Sequence, residues 1–277
     1  MTIRPLQCLL LLALLLAGCS SVQFAYNQLD RWMRWQLDDY VDLDSAQQRQ
    51  LKGALDSFHR WHRQTQLPRY AEFLRTLATR VESGQALDMR TLETRVTAFA
   101  DTASAQLLDL TLPLAAQLRP QQIDELAQHL QEKRRESLEE WRDSPDKVRR
   151  RRGKKIRKQS ERWLGSLTDE QEALITGWVE QMANNPVQRD RQRQLWQARV
   201  LELLRHKPAG YLDKLRSLLL RPEQLWDDNY RGRQQQRRAR ARALGQRLYT
   251  TTTADQRRHL VATLREYADD FDELSRQ

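Results

Sequence analysis

His59 and His62 stand three residues apart, so on a helix their imidazoles share a face and can converge on one metal ion, with Asp56 a turn away as a third ligand. Three ligands on one short face leave the shell incomplete, since zinc takes four protein positions or three and a water. Packing or surface histidines are the simpler reading, and His129, His206 and His259 have no ligand spacing. Asp38, Asp39, Asp42 and Asp44 gather carboxylates but lack the glycine-centred spacing of a calcium loop. A helix start accounts for them, because carboxylates are favoured at the positive end of the helix dipole. There is no H-E-x-x-H, no glycine-rich phosphate loop and no nucleophile elbow. The expectation is a protein that is not an enzyme, with no catalytic residue, metal site or cofactor. A metal-dependent enzyme using His59 and His62 is the weakest alternative.

The strongest chemical signal is cationic. The chain carries 47 Lys+Arg against 37 Asp+Glu, a formal charge of +10 over 277 residues. Two segments concentrate it: Lys147 to Arg162, and Arg231 to Arg247 with no acidic residue inside. Arg149, Arg150, Arg151, Arg152, Lys154, Lys155, Arg237, Arg238, Arg240 and Arg242 are the candidate anion-binding residues. Burying them unpaired would cost several kcal/mol each, so they are solvated or anion-bound. Such density by itself suggests nucleic acid, and a solvated face without a partner explains it equally well.

The amino terminus narrows the choice of partner. Arg4 followed by Leu9 to Leu16 has the form of a secretory leader, too short for the ~20 apolar residues that span a bilayer. It ends in Leu16-Ala17-Gly18-Cys19, which resembles the lipobox of bacterial lipoproteins. That resemblance implies cleavage after residue 18 and acylation of Cys19. With Ser20 and Ser21 following and no Asp as an inner-membrane retention signal, it further implies the periplasmic face of the outer membrane. Acyl chains contribute ~0.8 kcal/mol per buried CH₂, so several chains hold a domain on a membrane permanently. The anions available there are lipopolysaccharide phosphates, phospholipid heads and peptidoglycan carboxylates; nucleic acid becomes unlikely. Loss of Cys8 with the leader and acylation of Cys19 would leave no free thiol.

The elements that must position these groups are helices. Hydrophobic residues at 39% with only 9 Gly and 8 Pro are too apolar for disorder and too poor in turn residues for a many-stranded fold. The expected fold is all-α, an elongated multi-helix bundle of roughly eight to ten helices. Leu51, Leu55 and Phe58 mark one helix from Asp44 to Leu67, and a second runs from Pro68 to about Val81. A third carries Leu92, Val96 and Phe99 until Pro113 bends or breaks it. Pro120, Thr168, Pro186, Pro208 and Pro222 mark further starts, and Leu260, Leu264, Tyr267, Phe271 and Leu274 form one seam of the last helix. The expected divisions are a leader (1–18), a lipidated juxtamembrane segment (19–43), a helical region (44–145), a basic connector (146–165), ordered helix or disordered link, and a second helical region (166–277). In the juxtamembrane segment Val22, Tyr26, Leu29, Met33, Leu37 and Tyr40 form a stripe, expected to dock on the core rather than lie among lipid heads.

Several helix starts repeat one pattern: Leu43-Asp44-Ser45-Ala46-Gln47, Leu118-Arg119-Pro120-Gln121-Gln122, Leu167-Thr168-Asp169-Glu170-Gln171 and Leu220-Arg221-Pro222-Glu223-Gln224, with Thr253-Ala254-Asp255-Gln256 lacking the Leu. At Thr168 the hydroxyl can accept a first-turn amide while Gln171 reaches back to the cap. This pattern resembles the L-T-x-x-Q signature of Spy-like periplasmic chaperones, which implies a helical protein holding unfolded clients; a preferred capping grammar explains it too. Asp30, Trp35, Asp38-Asp39-Tyr40, Leu43, Trp61-His62-Arg63 and Leu67-Pro68-Arg69-Tyr70 resemble an uncharacterised family of predicted Gram-negative lipoproteins, most specifically over residues 24–75. The second resemblance implies lipidation and an α-helical fold and supplies no catalytic residue. With the basic segments, the expected function is a lipid-anchored, non-enzymatic binding module for an anionic or unfolded envelope partner, with a Spy-like chaperone as the alternative.

Overall fold

A computed structural model describes residues 23–24, 26–28, 40–140, 144–182 and 185–277, and every regular element among them is helical, with no strand. The lipobox and leader, and Asp38 and Asp39 of the acidic cluster, lie outside the described residues, as do Val22, Leu29, Met33 and Leu37 of the juxtamembrane stripe. The helices are α1 Ser45–Trp61, α2 Leu67–Glu82, α3 Met89–Ala116, α4 Pro120–Glu140, α5 Pro145–Leu164, α6 Asp169–Gln181, α7 Pro186–His206, α8 Tyr211–Leu220, α9 Asp228–Thr250 and α10 Ala254–Arg276.

Proline positions account for most differences from the periodicity. Pro68 does not separate α1 from α2; the chain stays helical, widening into a π-turn at His62–Gln66. A proline ring strikes the carbonyl four residues back, and one extra residue per turn relieves it while swinging His62 and Gln66 inward, both 3% exposed. Pro113 neither ends nor breaks α3, which continues to Ala116. It falls in the last turn, where few bonds remain to lose, and Leu112 and Leu114 are held by the cores they join. Pro208 lies inside a turn between Lys207 at φ 42° and Gly210 at φ 67°, so α8 starts only at Tyr211. Pro222 opens a single 3₁₀ turn, Pro222–Leu225.

The contacts divide the chain into two units, each drawing on both sides of the basic run. Among the described residues, the first comprises those up to 66, with 98–140 and 186–227. One of its cores joins Leu51, Leu55 and Phe58 of α1 to Ala103 and Leu107 of α3. The other joins Ile123 of α4 to Val200, Leu203 and Leu204 of α7 and Leu215 and Leu218 of α8. The second unit comprises the described residues of 67–97, 144–182, 185 and 228–277. In it Leu77, Ala78 and Val81 of α2 pack with Ile175 and Val179 of α6 and with Leu260, Val261 and Leu264 of α10.

The repeated helix starts act in pairs, one pair in each unit. In the first, Gln47 Oε1 accepts the amide of its own cap Asp44 (3.1 Å) and Gln122 Oε1 that of Arg119 (3.0 Å). The two side chains also bond each other reciprocally, at 3.2 and 2.7 Å. Their spare N–H groups go to the carbonyls of Gln117 and Asp42, each two residues before the opposite cap. In the second unit Gln171 and Gln256 repeat this bond for bond, with caps Thr168 and Thr253 and carbonyls of Thr251 and Ser166. The four glutamines are 0–5% exposed. Each clasp therefore satisfies two buried amides and the amide of each cap, with two helix starts set side by side. The partners are 75 residues apart in one unit and 85 in the other, so the chain carries the pattern twice at a similar spacing. The exchange of helices is reciprocal too: α2 of the first half packs on α10 of the second, and α7 of the second on α4 of the first. Leu220 to Gln224 shares the letters but runs from the end of α8 into the 3₁₀ turn, with Gln224 exposed.

Candidate anion-binding face

Both basic runs are helical, and both belong to the second unit. The first is α5, capped by Ser144, with Pro145 at its first position. Gly153 is buried in the middle of it. A Cβ there would meet Arg157 Nη1 at 2.9 Å and Val179 at 3.9 Å, so its absence lets α5 lie against α6. The second run, α9, also packs on α6.

The carboxyl end of α6 organises the cations between these helices. Arg152 of α5 donates from Nη1 to the carbonyl of Met182 at 3.3 Å, and Arg240 of α9 donates to the carbonyl of Gln181 at 3.1 Å. These carbonyls have no intrahelical donor and sit at the negative end of the helix dipole, which two guanidinium groups answer. Trp178 Nε1 donates to the Arg240 carbonyl at 3.1 Å, fixing α9 in register. Arg152 is thereby held where burial first, and the charge of Arg237 second, lower its guanidinium pKa.

The ten candidate residues thus separate by what they touch. Arg149 pairs with Asp146 on its own helix, and Arg242 with Glu93 of α3 at 2.6 Å. Arg152 and Arg240 serve the end of α6. Arg150, Arg151, Lys154, Lys155, Arg237 and Arg238 are exposed. Arg157, within the run but outside the candidate set, reaches Glu172 and Thr176 of α6. No local spacing announces that contact.

The histidine pair is differently employed. His62 Nδ1 lies 2.9 Å from the Tyr26 hydroxyl, and the Tyr26 ring packs on both His59 and His62. Asp56 pairs with Lys52 at 2.7 Å. Among the described residues no group of three or more His, Cys, Asp or Glu is placed to hold a metal ion. Asp44 is an N-cap, held below the usual carboxylate range by the Gln47 amide and then by Arg119. Asp42 contributes its carbonyl to the first clasp.

Burial first, and the neighbouring His59 second, press His62 down from 6.5 to about 3. Below pH 6.5 the unfolded chain gains a proton that the folded chain refuses. Folding stability should therefore fall by about 1.4 kcal/mol per pH unit as pH drops, levelling out near pH 3. Urea unfolding of residues 20–277 at pH 7 and pH 5 should show this slope, and His62→Gln should remove its share; identical slopes for both proteins would contradict it.

No curated protein and no solved structure matches the chain. A family model does match, over residues 39–231, which takes in α1 to α8 and the first of the two glutamine clasps. The chain belongs to that family, DUF6279, a family of unknown function.

Proposed function

We propose that the chain is an outer-membrane lipoprotein, acylated at Cys19, whose periplasmic domain is a non-enzymatic module that binds anionic envelope polymers or lipids through α5 and α9. One observation carries the binding half: the two most basic segments, far apart in sequence, flank the same helix α6, with Arg152 and Arg237 close enough for each charge to act on the other. Like charges brought together in this way favour an anion that neutralises both. The lipobox carries the address, and no described helix is long and apolar enough to cross a membrane.

The five side chains Arg150, Lys154, Lys155, Arg237 and Arg238 are exposed, so changing them together to Gln leaves the α6 contacts alone. Each Lys or Arg near an anionic surface contributes about 1 kcal/mol, so the unlipidated domain should lose about 100-fold or more in affinity for lipopolysaccharide-bearing vesicles. Wild-type binding should weaken steeply with added salt. Undiminished binding by the five-fold variant would remove this reading.

A chaperone of Spy-like type is the second reading, favoured by the paired helix starts, three of which carry L-x-x-x-Q. It predicts that the unlipidated domain suppresses aggregation of a denatured client at stoichiometric ratio; failure at excess excludes it.

A further inference from the structure

The short segment after Cys19 is held on the first unit by Tyr26 and Asn27 and directs another side chain outward. Tyr26 is 5% exposed, wedged against His59 and His62, with the Arg63 guanidinium 5.5 Å from its ring centre. Arg63 also donates to Asn27 Oδ1 at 2.6 Å. The backbone there is helical, with the Gln28 amide donating to the Phe24 carbonyl at 3.1 Å. Two residues apart on a helix is about 200°, so burying Tyr26 turns Phe24 the other way. Phe24 is 67% exposed, although most large apolar side chains among the described residues are covered.

Phe24 follows Cys19 by five residues. Whatever path those residues take, the two Cα atoms lie within about 18 Å, since a chain spans at most ~3.6 Å per residue. An acylated Cys19 sits at the bilayer surface, where each headgroup layer is about 5–8 Å deep. The tether therefore holds Phe24 within reach of the boundary between headgroups and acyl chains, where apolar side chains such as Phe are buried about 5–10 Å deep.

We propose that Phe24 inserts among the phospholipid headgroups beside the lipidated Cys19, and that the clip of Tyr26, His62 and Arg63 converts this into a fixed membrane-facing side of the first unit. A domain at the end of a flexible linker would tumble; this one is moored at two points. The inference rests on the lipid anchor proposed above.

The test uses the full lipidated chain in vesicles of phosphatidylethanolamine and phosphatidylglycerol. With Cys8 cleaved and Cys19 acylated, Phe24→Cys and, separately, Lys52→Cys on α1 each provide one thiol for a nitroxide label. Collision with oxygen relative to a water-soluble nickel chelate reports depth. The label at 24 should show a several-fold higher oxygen-to-nickel ratio than the label at 52. Equal, water-like ratios on vesicle-bound protein would overturn the insertion while leaving the anchor intact. Protein that fails to sediment with vesicles at all would overturn the anchor, and the insertion with it.

Discussion

Changing Gln171 to Glu should destabilise the protein more than changing it to Ala, although Glu is closer in shape. Gln171 is fully buried; its Oε1 accepts from Thr168 and Gln256, and its Nε2 donates to Gln256 Oε1 at 3.0 Å and to the Thr251 carbonyl at 3.4 Å. Alanine removes all of these and leaves a cap amide, a carbonyl and half of Gln256 unsatisfied, costing about 2–4 kcal/mol. Glutamate keeps the accepting oxygen but sets its second oxygen against two acceptors, with a buried charge besides. Ionising that carboxyl in the fold is unfavourable, so its folded pKa rises above the unfolded ~4.3 and the penalty grows as pH climbs from about 4 to 7. Urea midpoints at both pH values measure this directly. Because the two glutamines complete one another, Gln171→Leu with Gln256→Leu should cost less than the sum of the single changes. If Gln171→Glu proved at least as stable as Gln171→Ala at pH 7, the amide proton donors would not be what the clasp needs.

Periodicity made the helical class and several packing faces legible. Leu260, Leu264, Tyr267, Phe271 and Leu274 are all buried on α10, as are Leu51, Leu55 and Phe58 on α1. The capping boxes at Asp44, Thr168 and Thr253 are formed as the spacing of Thr168 and Gln171 suggests. Side-chain capping is local, so a four-residue window contains its cause. The pairing of those starts is not local: nothing near Gln171 names Gln256, and Arg119 lacks a capping side chain yet Gln122 completes its clasp. On α3 the stripe Leu92, Val96 and Phe99 is only half-buried, and the deeply buried positions further on are Ala100, Ala103, Ser104 and Leu107. Small residues permit close helix approach but carry a weak hydropathy signal.

The candidate site was legible as charge and opaque as geometry. Counting cations finds the two runs but not that Arg152 and Arg240 are drawn to the end of α6, nor that Arg242 belongs to Glu93. The acidic residues of the last helix show the same limit: Asp269 and Asp272 pair with Arg75 of α2, and Asp270 is buried. Which partner a charge takes depends on helices distant in sequence, and no spacing rule reaches that far.

The same exchange of helices between the halves makes one ion pair unusually consequential. Asp190 of α7 is 5% exposed and takes both arms of Arg134 on α4, from Nε at 3.0 Å and from Nη2 at 2.8 Å, with Gln194 donating at 2.6 Å. Arg134→Ala strands a buried carboxylate, a change that costs about 3–5 kcal/mol when both partners are dry. Because the Arg134 side chain is 36% exposed, water can enter behind it, and about 2–3 kcal/mol is the expected loss. Arg134→Met with Asp190→Leu removes both charges and should restore most of it, since an ion pair barely repays its own desolvation. The double variant would then separate two roles for the pair: if it regains the unfolding midpoint, the pair fixes which helices meet rather than how tightly. A double variant as unstable as Arg134→Ala would mean instead that the bidentate geometry itself supports the junction of α4 and α7.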